Sequence, residues 1–225
     1  MSQIHTNRPS GSPYIDRVWA TTNVSDGTYL ATPDGLWDLL FLTLEDGSRG
    51  AMLAGQATKP AYVPYTGGTS AVVISFAAGA YIPQISGKEM IDQAKMLPMI
   101  DATHFELAGH VFEIPDFDNA EHLVEDMAAR GLLKIDEVVA AVLSGNPKAM
   151  SDRAMQRHFV AATGLTRKML DQIQRAQAAV RLLQSGKRPV DAAAETGYTD
   201  QPHLAKSLKR IMDSAPSDVS DIHKL

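Results

Sequence analysis

The chain of 225 residues contains no cysteine. Disulfide bonds, thiolate zinc sites, iron–sulfur clusters and cysteine nucleophiles are therefore excluded. The sequence also lacks an uninterrupted apolar run of about 18 residues or more, which a membrane-spanning helix needs. Residues 1–13 are polar and show no signal-peptide pattern. These absences predict a cytoplasmic protein without a membrane partner.

Basic residues are scarce in the first half of the chain. Residues 1–129 contain six lysines and arginines against sixteen aspartates and glutamates, a net charge of −10. Residues 130–225 contain fifteen basic and ten acidic side chains, a net charge of +5. This asymmetry indicates two domains with different partners, and the basic part is the candidate for binding a polyanion.

The first half has the alternating pattern and the turn residues of short strands. We predict strands at residues 14–23, 39–44, 48–53 and 70–76. Asp46-Gly47, between the second and the third, predicts a tight hairpin because glycine tolerates positive φ. Glycine and proline recur between these segments, as is typical of a small sandwich or barrel.

From residue 118 onwards, the apolar residues follow a helical period. Asp118 and Glu121 predict a capping box at the start of the first helix. Gly145, Gly164 and Gly186 predict helix ends, because glycine accepts the left-handed conformation there. We predict helices at residues 118–130, 136–143, 151–163, 167–184, 190–196 and 201–212.

Two stretches of the second half share one plan: a short helix, a turn with glycine, and a second helix with basic residues. This is a helix-turn-helix that occurs twice. Residues 136–143 pair with 152–163, and residues 190–196 pair with 201–212. In each later helix we expect one apolar face to be buried, which leaves the opposite face for polar contacts.

Five motifs of the second half carry a family resemblance: Ser151-x-Arg153-x-Met155-Gln156-Arg157-x-Phe159, Thr163-Gly164-Leu165-Thr166, Arg175-Ala176, Leu182-Leu183 and Gly197-Tyr198-Thr199-Asp200-Gln201-Pro202-His203-Leu204. Their order and spacing resemble the double helix-turn-helix domain of AraC-type transcription regulators over roughly residues 134–216. The region around Pro33-Asp34-Gly35 and Ile74-Ser75-Phe76 also resembles the N-terminal domain of one subgroup. Two departures are a longer first turn at residues 144–150 and Ser214-Ala215-Pro216 in place of the family's Gly-Thr-Pro.

The resemblance implies an α+β fold in three parts. We expect a small sandwich-like or barrel-like (cupin-like) domain at residues 1–112, a helical linker at 113–134 and a double helix-turn-helix domain at 135–225. The implied function is sequence-specific binding of double-stranded DNA to regulate transcription, without catalysis, by two recognition helices in successive major grooves. RNA polymerase and a small-molecule effector are candidate partners, and both a monomer and a homodimer remain open.

Side-chain chemistry and spacing select the candidate DNA contacts. Arginine suits the O6 and N7 atoms of guanine, and glutamine suits the N6 and N7 atoms of adenine. The alternative for each single residue is a solvated helix face without a partner. The base-contact candidates are Arg153, Gln156 and Arg157 in the first unit, and Gln201, Pro202, His203 and Lys206 in the second; the phosphate-contact candidates are Ser207, Lys209 and Arg210.

Other kinds of site receive less support from the sequence. His104, Glu106 and His110 lie close together, but the His-x-His spacing of a metal-binding cupin is absent, so we favour surface or core histidines. No nucleophile elbow, Walker loop or dinucleotide fingerprint occurs. We therefore predict neither a metal, nor a cofactor, nor an enzymatic activity, and we rank a metal-dependent β-barrel enzyme last among the candidate functions.

Aromatic residues of the first half could line a ligand pocket, although hydrophobic core is the interpretation that we favour for most of them. The pocket candidates are Trp19, Trp37, Phe41 and Phe76. The alternative function is a small-molecule-binding sensor whose DNA-binding module is vestigial, as suggested by the acidic excess, the long first turn and the altered ending.

Overall fold

The computed structural model describes residues 3–147 and 149–219. Its first half is rich in strands and its second half is helical, which confirms the predicted fold class. The strands are β1 (Gln3–Arg8), β2 (Ile15–Asn23), β3 (Gly27–Ala31), β4 (Asp38–Thr43), β5 (Arg49–Ala54), β6 (Ala61–Tyr65), β7 (Ser70–Phe76), β8 (Ala80–Tyr81), β9 (Ala94–Leu97), β10 (His104–Leu107), β11 (His110–Glu113) and β12 (Lys134–Ile135). The α-helices are α1 (Ala120–Ala129), α2 (Glu137–Leu143), α3 (Asp152–Thr163), α4 (Arg167–Gln184), α5 (Pro189–Glu195) and α6 (Gln201–Met212), and a 3-10 helix spans Gly87–Met90.

A six-stranded antiparallel sheet with the order β1-β2-β7-β4-β5-β9 is the main element of the first half. Three two-stranded sheets accompany it: β10 with β11, β12 with β8, and β3 with β6. Because side chains alternate along a strand, Leu39 and Phe41 of β4 lie on the same face as Ile74 and Phe76 of β7. This face is buried, and α1 contributes Met127 and its neighbours to the same core.

The four strands predicted from alternation are present as β2, β4, β5 and β7. The predicted hairpin is also present: Gly47 has φ of 81°, and the Leu44 amide donates to the Ser48 carbonyl at 2.8 Å. Strand β1 was not predicted, because its side chains are polar and mostly exposed. It lies at the edge of the sheet, where alternation of apolar residues is not required.

The helix predictions for α3, α4 and α6 agree with the structure to within one residue. Helices α2 and α5 each lie within one residue of the predicted ends. Ser151 caps α3, Thr166 caps α4 and Asp200 caps α6, each by accepting a bond from a backbone amide of the first turn.

The predicted capping box of the first helix is wrong. Helix α1 begins at Ala120, and no side chain caps it. The Glu121 carboxylate instead accepts two bonds from the Arg8 guanidinium, at 2.6 and 2.7 Å, and one from the Ser10 hydroxyl at 2.7 Å. The bonds from Arg8 are the main reason why the pKa of Glu121 falls to about 2. Strand β1 is thereby tied to α1 across 113 positions of sequence.

The chain folds into two compact units. The first, here called the sheet unit, comprises the segment ending at Gly27, Leu36–Gln56 and Pro64–Leu165. The second, here called the helical unit, comprises Thr28–Gly35, Ala57–Val63 and the segment beginning at Thr166. The sheet unit therefore includes α1, α2 and α3, and the helical unit includes α4, α5 and α6. The predicted domain limits at residues 112 and 134 remain a prediction.

In the helical unit, α4 packs against α5 and α6, and two segments from the first half of the chain belong to the same unit. Gln177 of α4 donates to the Pro33 carbonyl at 3.3 Å, and Leu170 packs closely against Gly35. None of the helices in residues 3–147 and 149–219 has the length and apolar content that crossing a membrane requires.

The ion pair between Arg8 and Glu121 predicts a pH-dependent contribution to stability. We expect Glu121→Gln to lower the free energy of unfolding by about 1–2 kcal/mol near neutral pH, because the charge-assisted bonds are lost. Since the folded pKa of Glu121 is depressed, this difference should be complete above the unfolded pKa of about 4.3. It should then shrink as the pH falls towards 2.

Urea unfolding of both proteins along a pH series measures this difference. Glu125→Gln is the control, because Glu125 is an exposed residue of the same helix. An equal stability difference between wild type and Glu121→Gln at all pH values would contradict this account.

Candidate nucleic-acid interface

Helix α3 has one buried face and one polar face. Met155, Phe159 and Ala162 are buried, and Gly164 ends the helix with φ of 74°. On the opposite face Arg153 and Arg157 are exposed, and Gln156 is half-buried. In the part of the chain that the structure describes, these three polar side chains have no hydrogen-bond or ion-pair partner. They can therefore bind a ligand without breaking an internal bond.

Asp136 joins α2 to α3. Its Oδ1 atom accepts bonds from the backbone amides of Val138 and Val139, at 2.9 and 3.0 Å, which caps α2. Its Oδ2 atom lies 2.7 Å from Nδ1 of His158 on α3. The sequence did not indicate the bond to His158, because a contact across 22 positions leaves no periodic signal. One carboxylate thus fixes the geometry of the first helix pair.

Helix α6 repeats the arrangement in the helical unit. Leu204, Leu208 and Ile211 form its buried face. Asp200 accepts a bond from the His203 amide at 2.7 Å, which caps the first turn. The four base-contact candidates of this helix, Gln201, Pro202, His203 and Lys206, are all exposed.

Tyr198 organises the turn before α6. Its ring lies edge-on to the His203 ring, with 5.3 Å between the ring centres, and the Arg175 guanidinium lies 5.3 Å from its face. Its hydroxyl lies 3.0 Å from the Ser207 hydroxyl. Ser207 is only 9% exposed and already bonded. We therefore remove Ser207 from the phosphate-contact candidates, because burial and the bond to Tyr198 occupy its hydroxyl.

Internal partners engage the other two phosphate-contact candidates. Lys209 binds the Asp213 carboxylate at 2.5 Å, and the Tyr62 hydroxyl donates to the same carboxylate at 3.1 Å. The bond between Lys209 and Asp213 is the main cause of a raised pKa for Lys209 and a lowered pKa for Asp213. Arg210 donates to Gln172 of α4 at 2.9 Å. Both bonds are exposed to solvent, so DNA phosphates can compete for the two cations.

Three of the four pocket candidates belong to the hydrophobic core. Trp37, Phe41 and Phe76 are at most 2% exposed and pack in one cluster. Trp19 is half-buried and donates to Ser75 at 3.3 Å. A groove of about 400 Å³ in the sheet unit lies elsewhere and is lined by none of the four. Its walls include Arg49, Phe112, Glu113, His122 and Asp126.

The histidines considered as metal ligands occupy separate environments. His104 bonds to Asp101 at 2.9 Å, whereas the ring of His110 lies beside Phe112. Among the described residues, no three histidine, aspartate or glutamate side chains form a group that could hold a metal ion.

The bond between Lys209 and Asp213 predicts that Asp213 restrains non-specific DNA binding. We expect Asp213→Asn to raise the affinity for random-sequence duplex DNA, because Lys209 is then free to neutralise a phosphate. The slope of log affinity against log salt should steepen by about one unit. Fluorescence anisotropy over a salt series measures both quantities. Glu125→Gln is the matched control, since it changes the net charge equally at an exposed position of α1 in the sheet unit. An equal effect of both substitutions would contradict a specific role for Asp213.

Comparison with known proteins agrees with this geometry. A family model described as a helix-turn-helix domain matches residues 148–221, which include α3, α4, α5 and α6. No curated protein matches the chain. The chain is similar to solved structures of ToxT from Vibrio cholerae: one has a TM-score of 0.45 at 8% identity and full coverage of both chains. Another, bound to an unsaturated fatty acid, has a TM-score of 0.40 at 9% identity and covers 96% of this chain and 94% of ToxT.

Similarity at these TM-scores and identities supports no conclusion about the ligand or the activity of this chain. The match to the family model does not depend on these solved structures. It covers the segment in which both capped helices carry their basic residues. Residues 148–221 therefore match a helix-turn-helix domain, the kind of domain that the sequence motifs predicted.

Proposed function

We propose that this protein is a sequence-specific regulator of transcription that reads double-stranded DNA with α3 and α6. The observation that carries this proposal is the shared design of the two helices. Each has twelve residues, a capped start, a buried apolar face and an exposed row of polar side chains. A helix of this kind fits the major groove, where side chains near its start reach the base edges.

The first helix offers the chemistry for a site that contains guanine and adenine. Arg153 and Arg157 are exposed and lie one turn apart, so both can address O6 and N7 of guanine bases. Gln156 lies between them and suits an adenine. Because none of the three has an internal partner in the described residues, binding costs no protein hydrogen bond.

The second helix offers a different set of contacts. Gln201 and His203 are the polar candidates at its start, and Pro202 can contact a thymine methyl group. Lys206 is exposed one turn further on. Lys209 and Arg210 can exchange their exposed internal bonds for phosphate contacts, which position the helix without reading sequence.

Control of this DNA binding through the N-terminal part of the chain is part of the proposal. A small-molecule effector, dimerisation, or contact with RNA polymerase are the candidate mechanisms. The alternative, a sensor with a vestigial DNA-binding module, predicts no specific DNA binding, and the same experiment separates the two.

A binding selection from genomic fragments, with purified full-length protein at near-physiological salt, tests the proposal. We expect one motif with two half-sites about 34 Å apart, one turn of DNA. Arg157→Ala and Lys206→Ala should each weaken specific binding by about 1–3 kcal/mol, and the double variant should lose the enrichment.

The matched control is the double variant Lys95→Ala/Arg181→Ala, which removes the same number of exposed charges outside α3 and α6. Loss of enrichment in this control as well would assign the effect to general charge. Absence of any motif with the wild-type protein would favour the vestigial module.

A further inference from the structure

We propose that Trp37 is a positioning residue for DNA reading, which fixes α3 on the N-terminal sheet so that only the half-site read by α3 depends on that sheet. The inference rests on the proposed function. It goes further by naming the contact through which the N-terminal part of the chain controls DNA binding.

Trp37 connects the sheet to the last turn of α3. Its indole Nε1 atom donates to the Ala162 carbonyl at 3.3 Å, and the bond is buried. The last four carbonyls of an α-helix have no partner within the helix, and Ala162 is one of these positions. The Trp37 backbone carbonyl accepts a bond from the Phe76 amide at 2.8 Å, at the end of β7. Trp37 thus bonds to β7 through its backbone and to α3 through its side chain.

A second contact fixes the same end of α3. Gly164 ends the helix, and its backbone packs directly on Gly87, where the 3-10 helix begins. A Cβ atom added to Gly87 would lie 2.7 Å from the Gly164 nitrogen, which is closer than real Cβ atoms approach. Met90 of the same 3-10 helix is buried in one core cluster with Trp37. The end of α3 is therefore held from two elements of the sheet unit.

The partner helix α2 is also joined to the sheet unit. The short strand β12 pairs with β8, and the Asp136 amide donates to the Gly79 carbonyl at 2.9 Å. Asp136 then bonds to His158 of α3, as described above. The start of α2 and the end of α3 are thus both held by residues of the N-terminal half. Helix α6, in contrast, belongs to the helical unit.

Binding at the α3 half-site therefore depends on these contacts, whereas binding at the α6 half-site does not. Hydrogen bonds to base edges need donor–acceptor distances of about 2.7–3.2 Å, so a small shift of α3 weakens its base contacts. A change at Trp37 therefore acts on Arg153, Gln156 and Arg157 together, while the side chains of α6 keep their positions.

The test compares two substitutions of the same kind in the full-length protein. Trp37→Phe removes the indole donor to α3, and Trp19→Phe removes the indole donor to Ser75, within the sheet. Both are measured by footprinting and anisotropy on the selected two-site duplex and on duplexes with one half-site scrambled. The half-site lost in Arg153→Ala identifies the one read by α3.

We expect Trp37→Phe to weaken binding about fivefold to tenfold, because DNA must then restore the α3 position that one hydrogen bond holds in the wild type. The loss should appear only on duplexes with an intact α3 half-site. Trp19→Phe should bind like wild type. Unchanged binding by Trp37→Phe, or an equal loss at both half-sites, would overturn the inference and leave the proposed function intact. Absence of specific binding by wild type would overturn both.

A second measurement avoids altering Trp37 and decides the matter if Trp37→Phe fails to fold. The chain has two tryptophans, so Trp37 is the sole one in Trp19→Phe. Its emission should change when a duplex with only the α3 half-site binds, and stay constant with a duplex that has only the α6 half-site. The opposite pattern, or no change with either duplex, would overturn the inference.

Discussion

Every α-helix ends with carbonyl groups that its own backbone cannot satisfy, and the structure of this protein depends on how that constraint is met at the end of α3. A tryptophan from the N-terminal sheet supplies the donor for Ala162, and two glycines allow the backbones of α3 and the 3-10 helix to touch. Because these contacts are buried, α3 belongs to the sheet unit although the sequence places it in the helix-turn-helix domain. The candidate DNA-reading surface of α3 and the N-terminal half therefore belong to one compact unit, in contrast to what a linear domain map implies.

Different contacts hold the two helix pairs in place. The first is held by Asp136, His158 and Trp37 within the sheet unit. The second is held by Tyr198, Arg175 and the packing against α4 within the helical unit. Segments of the N-terminal half contact α4 and the residue that follows α6, since Gln177 donates to the Pro33 carbonyl and the Tyr62 hydroxyl donates to Asp213. Each compact unit thus contains one candidate recognition helix together with residues of the N-terminal half.

Local patterns in the sequence predicted the elements well, and long-range contacts explain what they missed. The helices α3, α4 and α6 were predictable because an apolar period, a capping residue and a terminal glycine or proline coincide in each. The polar edge strand β1 lacks alternation, and the partner of Glu121 is 113 positions away, so neither could be found locally. Exposure of the base-contact candidates other than the half-buried Gln156 followed from helical spacing. Burial of Ser207 did not, because it depends on where Tyr198 places its hydroxyl.

Helix α3 is structurally part of the sheet unit, and native-state hydrogen exchange in increasing denaturant tests this assignment most directly. Amides that open together share one free energy of opening. We predict that the slowest amides of α3 exchange with the same free energy and denaturant dependence as those of β4 and β7. Exchange of α3 in common with α4 and α6, at a free energy different from that of the sheet, would contradict the account.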